Sequence, residues 1–200
     1  MVNNNSKLRP IIGAVRQMIS ISDDELAEFL KGCSVRTCQR REFLSSPGKV
    51  CNEVYFVNKG IIRVVVTDKN GTEHTVHFAL ENQFIADYAS FLQQIPSSQG
   101  LQALEPTEVV VLPRSIIEWG YGHLTEGDKL GRLVAEYYFI YLDNRIKNMY
   151  SHDPKERYDN ITSIFPNIHN RAPQHMIASY LGITPVHLSR LKKAQKVQKV

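Results

Sequence analysis

Residues 53–80, EVYFVNKGIIRVVVTDKNGTEHTVHFAL, constrain the fold most. They are dense in Val, Ile, Tyr and Phe, which suit a pleated, half-buried surface. Gly60 divides the first pair of apolar runs and Asn70-Gly71 the second. Asn-Gly between such runs is the strongest short-range hairpin signal, because both turn residues must accept positive φ. Further short runs follow, notably TEVVVLP at 107–113. Short strands separated by turn residues predict an antiparallel sandwich or barrel over about residues 33–113.

Helical patterns flank this region. Residues 8–32 read as helical. Ser22 stands where it can cap DDELAEFLKG, Asp23 to Glu25 suit the positive helix end, and Gly32 can close it. From Thr125 the period changes again. EGDKLGRLVAEYYFIYLDNRIKNMYSHDP has no proline before Pro154. Leu130, Leu133, Val134, Tyr137, Ile140, Tyr141 and Asn144 recur at spacings of three and four, which predicts one long helix over about 126–150. That apolar face either packs on its own β domain or forms a dimer seam. The adopted reading is the seam, carried by Leu130, Leu133, Val134, Tyr137 and Tyr141, with Asn144 fixing register.

Charge separates the two ends of the chain. The net charge is +4, but after Asp159 there are six Lys/Arg and no Asp or Glu, so residues 1–159 carry −2. A basic end suggests a polyanion partner, against the plainer alternative of a solvated tail. The three cysteines, Cys33, Cys38 and Cys51, fit neither a disulfide framework nor a metal finger. His74 and His77 lie three apart on a predicted strand and so face opposite sides, which argues against a shared metal. No apolar run is long enough for a membrane span, and MVNNNSKLRP lacks the apolar core of a signal peptide. The expectation is a cytoplasmic protein with no membrane association, no metal and no cofactor. No nucleophile-base pair or phosphate loop marks an enzyme.

The basic end holds the most specific pattern, ASYLGITPVHLSRLKK at 178–193. Pro173 opens a helix whose apolar positions are Met176, Ile177, Tyr180 and Leu181. Gly182 sits where a helix end needs a left-handed residue, and Ile183 can plug the space between two helices. Thr184 is then an N-cap and Pro185 the first residue of a second helix, held on the domain by Leu188 and Leu191. The remaining face carries Val186, His187, Ser189, Arg190, Lys192 and Lys193, with no acid. A recognition helix places its first residues at base edges and its basic ones near phosphates. Thr184 and Ser189 suit phosphate, and Arg190 suits guanine. The alternative is a helical hairpin that docks a protein partner.

The order of helix, β-roll, long helix, short helix and helix-turn-helix resembles the Crp/Fnr family of bacterial transcription regulators. Three stretches carry the resemblance: VYFVNKGIIRVVVTDKNGTEHTVHFALENQFI, LVAEYYFIYLDNRI and IASYLGITPVHLSRLKK. The length is similar to that of the short, Bacteroidetes-type members. The resemblance implies an α+β chain: an antiparallel β-roll of the double-stranded β-helix or jelly-roll type with flanking helices at 1–125, a long dimerisation helix at 126–150, and a helix-turn-helix domain at 151–200. It implies double-stranded DNA as partner, a homodimer, and RNA polymerase as a further partner. Pro185, Val186, His187 and Arg190 match the base-facing positions. Pro185 and Val186 depart from the polar pair of the best-known members, so the base sequence read should differ. Only AQKVQKV follows Lys193, so the wing expected of the family is missing or vestigial, and Lys196 and Lys199 stand in for its backbone contacts.

The family's cyclic-nucleotide cassette opens with a Gly-Glu pair and continues to an arginine. The matching stretch, NQFIADYASFLQQIPSSQGLQAL, has neither, and no Lys or Arg lies between residues 70 and 113. A buried phosphate without a cationic partner is costly, and Asp87 would repel it, so cyclic AMP is not expected. A pocket at this place would be lined by Asp87, Tyr88, Ser90, Ser97 and Ser98. It either holds an unknown small-molecule effector or is filled by its own side chains. Haem lacks a marked axial ligand, and the cysteines do not match cluster-binding members.

Overall fold

Ser22 caps the second helix as its sequence asks. Its Oγ accepts from the Glu25 N–H at 3.2 Å, and the Glu25 carboxylate accepts from the Ser22 N–H at 3.0 Å. This closed capping box starts α2 (Asp23–Lys31) and separates it from α1 (Asn4–Met18). Gly32 ends α2, but at φ −83°, in the right-handed region. A left-handed cap is not the reason for glycine here. A Cβ at this position would lie 1.9 Å from Ile116 Cγ1, so close packing is. The structure, a computed structural model, describes the backbone of residues 4–198 and the side chains of 6–195.

Eight strands follow: β1 (Ser34–Cys38), β2 (Phe43–Ser45), β3 (Glu53–Lys59), β4 (Ile62–Thr67), β5 (Glu73–Ala79), β6 (Phe84–Ile85), β7 (Gln99–Ala103) and β8 (Thr107–Pro113). A short helix, α3 (Tyr88–Gln93), lies between β6 and β7. The strands form two four-stranded antiparallel sheets, ordered β1-β8-β3-β6 and β2-β7-β4-β5. Tyr55, Val57, Val109 and Val111 of one sheet meet Ile62, Val64, Leu101 and Ala103 of the other in a shared core. This is the jelly-roll arrangement that the strand pattern predicts. Asn70-Gly71 turns the β4–β5 hairpin with Gly71 at φ +80°. Asp68 Oδ1 accepts from the N–H groups of Asn70 and Thr72 at 2.8 and 3.0 Å and holds that turn.

After the roll come α4 (Arg114–His123), the long α5 (Gly127–Ser151), α6 (Pro154–Ile164), α7 (Ile168–Arg171), α8 (Gln174–Leu181) and α9 (Pro185–Gln198). At 1.5 Å per residue α5 spans about 37 Å. Its apolar residues serve two separate arcs. Leu130 and Leu133 pack against the core beneath α1 and α2, Val134 is buried near Val15 and Phe29, and Tyr141 packs against the C-terminal core. Tyr137 is half-exposed, and its OH accepts from Gln83 Nε2 at 3.2 Å. Of the five residues read as a dimer seam, Leu130, Leu133, Val134 and Tyr141 thus spend part or all of their surface on their own chain, and Tyr137 keeps half of its own exposed. Asn144 is exposed at the edge of that arc. A second, more exposed row is Phe139, Leu142, Ile146 and Tyr150, with exposures of 72, 48, 59 and 89%, the last three at the edge of a cavity beside the roll.

The C-terminal helices do not hang free. Ile61, Phe78, Leu80 and Leu104 of the roll share one core with Tyr158, Phe165, Ile177, Tyr180 and Leu188. Ser179 Oγ accepts from the Thr75 N–H of β5, an edge strand, at 2.9 Å.

Candidate nucleic-acid interface and adjoining cavity

The turn between α8 and α9 is built by backbone hydrogen bonds. Gly182 is left-handed, at φ 67° and ψ 33°. The Ile183 N–H donates to the Ala178 carbonyl at 3.0 Å and the Gly182 N–H to that of Ser179 at 3.1 Å. These two bonds make a Schellman motif, which satisfies carbonyls that the ending helix would leave open. Ile183 then packs on the C-terminal core. Thr184 Oγ1 accepts from the His187 N–H at 3.2 Å and caps α9, with Pro185 as its first residue. Leu188 is buried at 1% exposure and Leu191 is partly buried, which fixes the roll of α9 about its axis.

That roll decides what faces out. Thr184, Pro185, Val186, His187, Ser189, Arg190 and Lys193 are all exposed. Lys192 is half-buried, and its Nζ donates to Gln174 Oε1 at 3.0 Å, joining α9 to the start of α8. The helix α9 contains no acidic residue. The side chains of Lys196 and Lys199 lie outside the described residues.

One basic residue of the C-terminal end faces elsewhere. The Arg171 guanidinium donates to both Glu81 carboxylate oxygens at 2.7 and 3.0 Å and to Glu105 at 2.6 Å. Its hydrogen bond to Glu81 pushes its pKa upward. Burial alone would raise Glu81, yet the bond from Arg171 holds it below its ordinary range. Arg171 therefore clamps the helical domain to the roll. Composition counts it with the basic end, and no local pattern marks it as different.

A cavity of about 740 Å³ lies between the roll and α5. Asp87 and Tyr88 line it, but Ser90, Ser97 and Ser98 do not. Asp87 caps α3, accepting from the Ser90 N–H at 3.2 Å and from the Ser97 hydroxyl. Ser90 Oγ donates to the Ile95 carbonyl at 2.6 Å and accepts from the Cys51 N–H at 2.9 Å. Ser90 and Ser97 thus hold the 87–99 segment in shape, and Ser98 is exposed. The expectation that all five line a pocket is corrected on this point. Burial pushes the Tyr88 phenol up to about 12.

Sequence reasoning missed the α5 side of the cavity, which includes Tyr138, Leu142, Arg145 and Ile146. It also missed His77. This imidazole is buried beside Tyr141, Tyr138 and Phe165, at centroid distances of 4.3, 5.9 and 5.9 Å. Its Nδ1 is buried without a hydrogen-bond partner. Burial first, and then the charge of Arg145, push its pKa down to about 3. His74 is exposed and meets Asp68 at 3.0 Å, so the two histidines do not converge. No group of three or more metal-binding side chains occurs among the described residues. No described helix is long and apolar enough to cross a membrane.

Residues 35–119, the roll itself, match the family described as the cyclic nucleotide-binding domain. The whole arrangement has solved counterparts. FixK2 from Bradyrhizobium japonicum superposes with a TM-score of 0.72 at 15% identity, over 84% of this chain and 86% of that one. Residues 35–119 thus resemble a cyclic nucleotide-binding domain, and the chain has the fold of Crp/Fnr-type regulators. The regulator CLP of Xanthomonas campestris, described as responsive to c-di-GMP, has this fold too, with a TM-score of 0.67, 12% identity and coverage of 89% and 93%. A regulator assigned to the Crp/Fnr family in Eubacterium rectale gives 0.67, 13%, and 89% and 85%. No curated protein matches the chain by sequence. At such identities the Crp/Fnr likeness is one of fold, and the side chains must carry any statement about ligand or DNA.

Proposed function

We propose that the chain is a homodimeric, sequence-specific DNA-binding transcription regulator of the Crp/Fnr type, working in the cytoplasm. In this reading residues 1–125 are the sensor, 126–150 the dimerisation helix and 151–200 the DNA-binding domain. The observation that carries it is the outer face of α9. A Schellman turn and a Thr184 cap set that helix, Leu188 anchors it, and His187, Ser189, Arg190 and Lys193 stand in solvent with no acid on the helix. Such a face suits base edges at its start and phosphates beyond. A hairpin built to dock a protein would expose an apolar stripe, and among the described residues of α9 the one exposed large apolar side chain is Val186, at 63%.

An exposed apolar row on α5 supports the dimer. Phe139, Leu142, Ile146 and Tyr150 recur at intervals of three and four along a 25-residue helix, with Leu142, Ile146 and Tyr150 also edging the cavity beside the roll. A second copy of the same arc would cover them. Two reading helices would then meet successive major grooves about 34 Å apart on a near-palindromic site.

In this reading cyclic AMP is not the effector, because the 87–99 segment, where the family's cassette carries its arginine, has no cation and sets the Asp87 carboxylate at the cavity wall. The function is tested by fluorescence anisotropy on a duplex from the chain's own upstream region, titrated with salt. Binding that weakens steeply with salt, and is lost in Arg190→Ala with the fold intact, supports the reading. Equal binding by both proteins would leave only non-specific phosphate contact.

A further inference from the structure

The cavity between the roll and α5 has a distinct chemistry. Its walls are mostly apolar, with Val64, Val76 and Ile85 from the roll and Tyr138, Leu142 and Ile146 from the helix. Its volume of about 740 Å³ falls in the range of small-molecule sites, roughly 300–1,000 Å³. Of its acidic and basic linings, Asp87 is already held by Ser90 and Ser97. His77 is kept neutral by burial. The remaining group is Arg145.

Arg145 is half-buried and forms no ion pair among the described residues. Arg63, Arg114, Arg132 and Arg171 each meet a carboxylate. Arg145 instead lies 4.0 Å over the Tyr180 ring and donates one hydrogen bond to the Tyr180 carbonyl, at 3.1 Å. A cation drawn partly out of water without a counter-ion is costly unless a partner arrives. An anion that brings its own apolar surface would answer both the walls and the charge.

We propose that this cavity binds an amphipathic monoanion, an apolar body with one carboxylate-type head that pairs with Arg145. The assignment rests on the sensor reading above and does not depend on DNA binding. The Asp87 carboxylate at the wall disfavours a second negative group, which separates this ligand class from nucleotides carrying several. The guanidinium that takes the head group also seats Tyr180 of α8. Cavity occupation and seating of the reader domain therefore compete for one side chain.

The test is calorimetric titration of the full-length protein with decanoate, decanol and decylamine, which share a tail and differ in head charge. Decanoate is expected to bind at least tenfold tighter than decanol, and decylamine more weakly than either. Arg145→Gln should bring decanoate down to the decanol level and leave decanol unchanged. Val76→Trp, which fills the cavity from the roll side, should abolish decanoate binding. Equal binding of the three probes, no decanoate binding at millimolar concentration, or decanoate binding indifferent to either substitution would overturn the proposal. If Arg145→Gln fails to fold, the head-group series and Val76→Trp still decide it. DNA binding is read separately on the same protein, so failure here with DNA binding intact removes this assignment alone.

Discussion

Arg171 donates hydrogen bonds to both oxygens of Glu81, at 2.7 and 3.0 Å, across the junction between the C-terminal helices and the β-roll. The pair lies 90 residues apart in the chain. Around it, aromatic side chains from both domains interlock: Phe78 of β5 meets Phe165 and Tyr180 at 5.5 Å each. The C-terminal helices are thus mounted on the β-roll by an apolar core with a charged clamp at its side.

Glu81→Gln is expected to destabilise the chain by about 1 kcal/mol, since the pair is partly exposed and screened. Urea denaturation of Glu81→Gln, Arg171→Gln and the double variant gives the coupling between them. Strictly additive losses would show that the clamp contributes nothing. Glu81 titrates below its ordinary 4.5 in the folded chain. Its contribution is therefore full above that value and is lost as pH falls through the folded pKa.

His77 works in the same direction over a wider range. Its folded pKa of about 3 lies below the ordinary 6.5, so the unfolded chain binds the extra proton first. Stability is full above about pH 6.5 and falls as the solution is acidified towards 3, by up to about 1.4 kcal/mol per pH unit. His77→Phe also removes the unpartnered Nδ1. The variant should flatten the loss of stability between pH 6.5 and 4, as read by thermal melts. An unchanged acid slope would show that another group governs it.

The two arcs of α5 should respond differently to charge. Phe139→Asp is expected to yield a folded monomer by analytical ultracentrifugation, because Phe139 is largely exposed on the single chain. Val134→Asp buries a carboxylate beside Val15, Phe29 and Leu130 and should cost about 3 kcal/mol or more, on the order found for unpaired buried charges. A Phe139→Asp protein that remains dimeric would place the seam elsewhere.

Gly182→Ala tests the turn that aims α9. A side chain at φ 67° costs about 1 kcal/mol. The added Cβ would meet the flexible Met149 Cε at 2.6 Å, a contact that the methionine can relieve. The variant is expected to lose about that much stability in urea, with far-UV circular dichroism unchanged. No loss would mean that the turn tolerates a Cβ and that its glycine answers another need.

The elements with local signals were legible in the sequence. Asn70-Gly71, Ser22 with Glu25, and Gly182 followed by Thr184-Pro185 each specify their own turn or cap through backbone chemistry within a few residues. The long helix was legible too, but not its orientation. Apolar residues occupy both arcs of α5, and periodicity alone ranks Val134 and Tyr141 with Phe139 and Ile146. Only the docking of two cores on one arc distinguishes them. Ser90 and Ser97 resembled pocket residues because hydroxyls suit ligands. Their hydrogen bonds to Ile95 and Asp87 come from the path of the loop, which composition does not encode. Arg171 and Arg145 are two arginines of the same type with opposite fates. One meets two carboxylates from separate turns of the roll, and the other, among the described residues, meets the Tyr180 ring and carbonyl and no carboxylate.

The most direct test of the central claim is selection of bound duplexes from a random library, with wild type and Arg190→Ala in parallel. Wild type should enrich a near-palindromic sequence whose half-sites lie about one helical turn apart, some 10 base pairs. Arg190→Ala should lose or relax the enriched bases while keeping its fold. No enriched sequence with wild type, or the same enrichment from both proteins, would contradict a reading helix at α9.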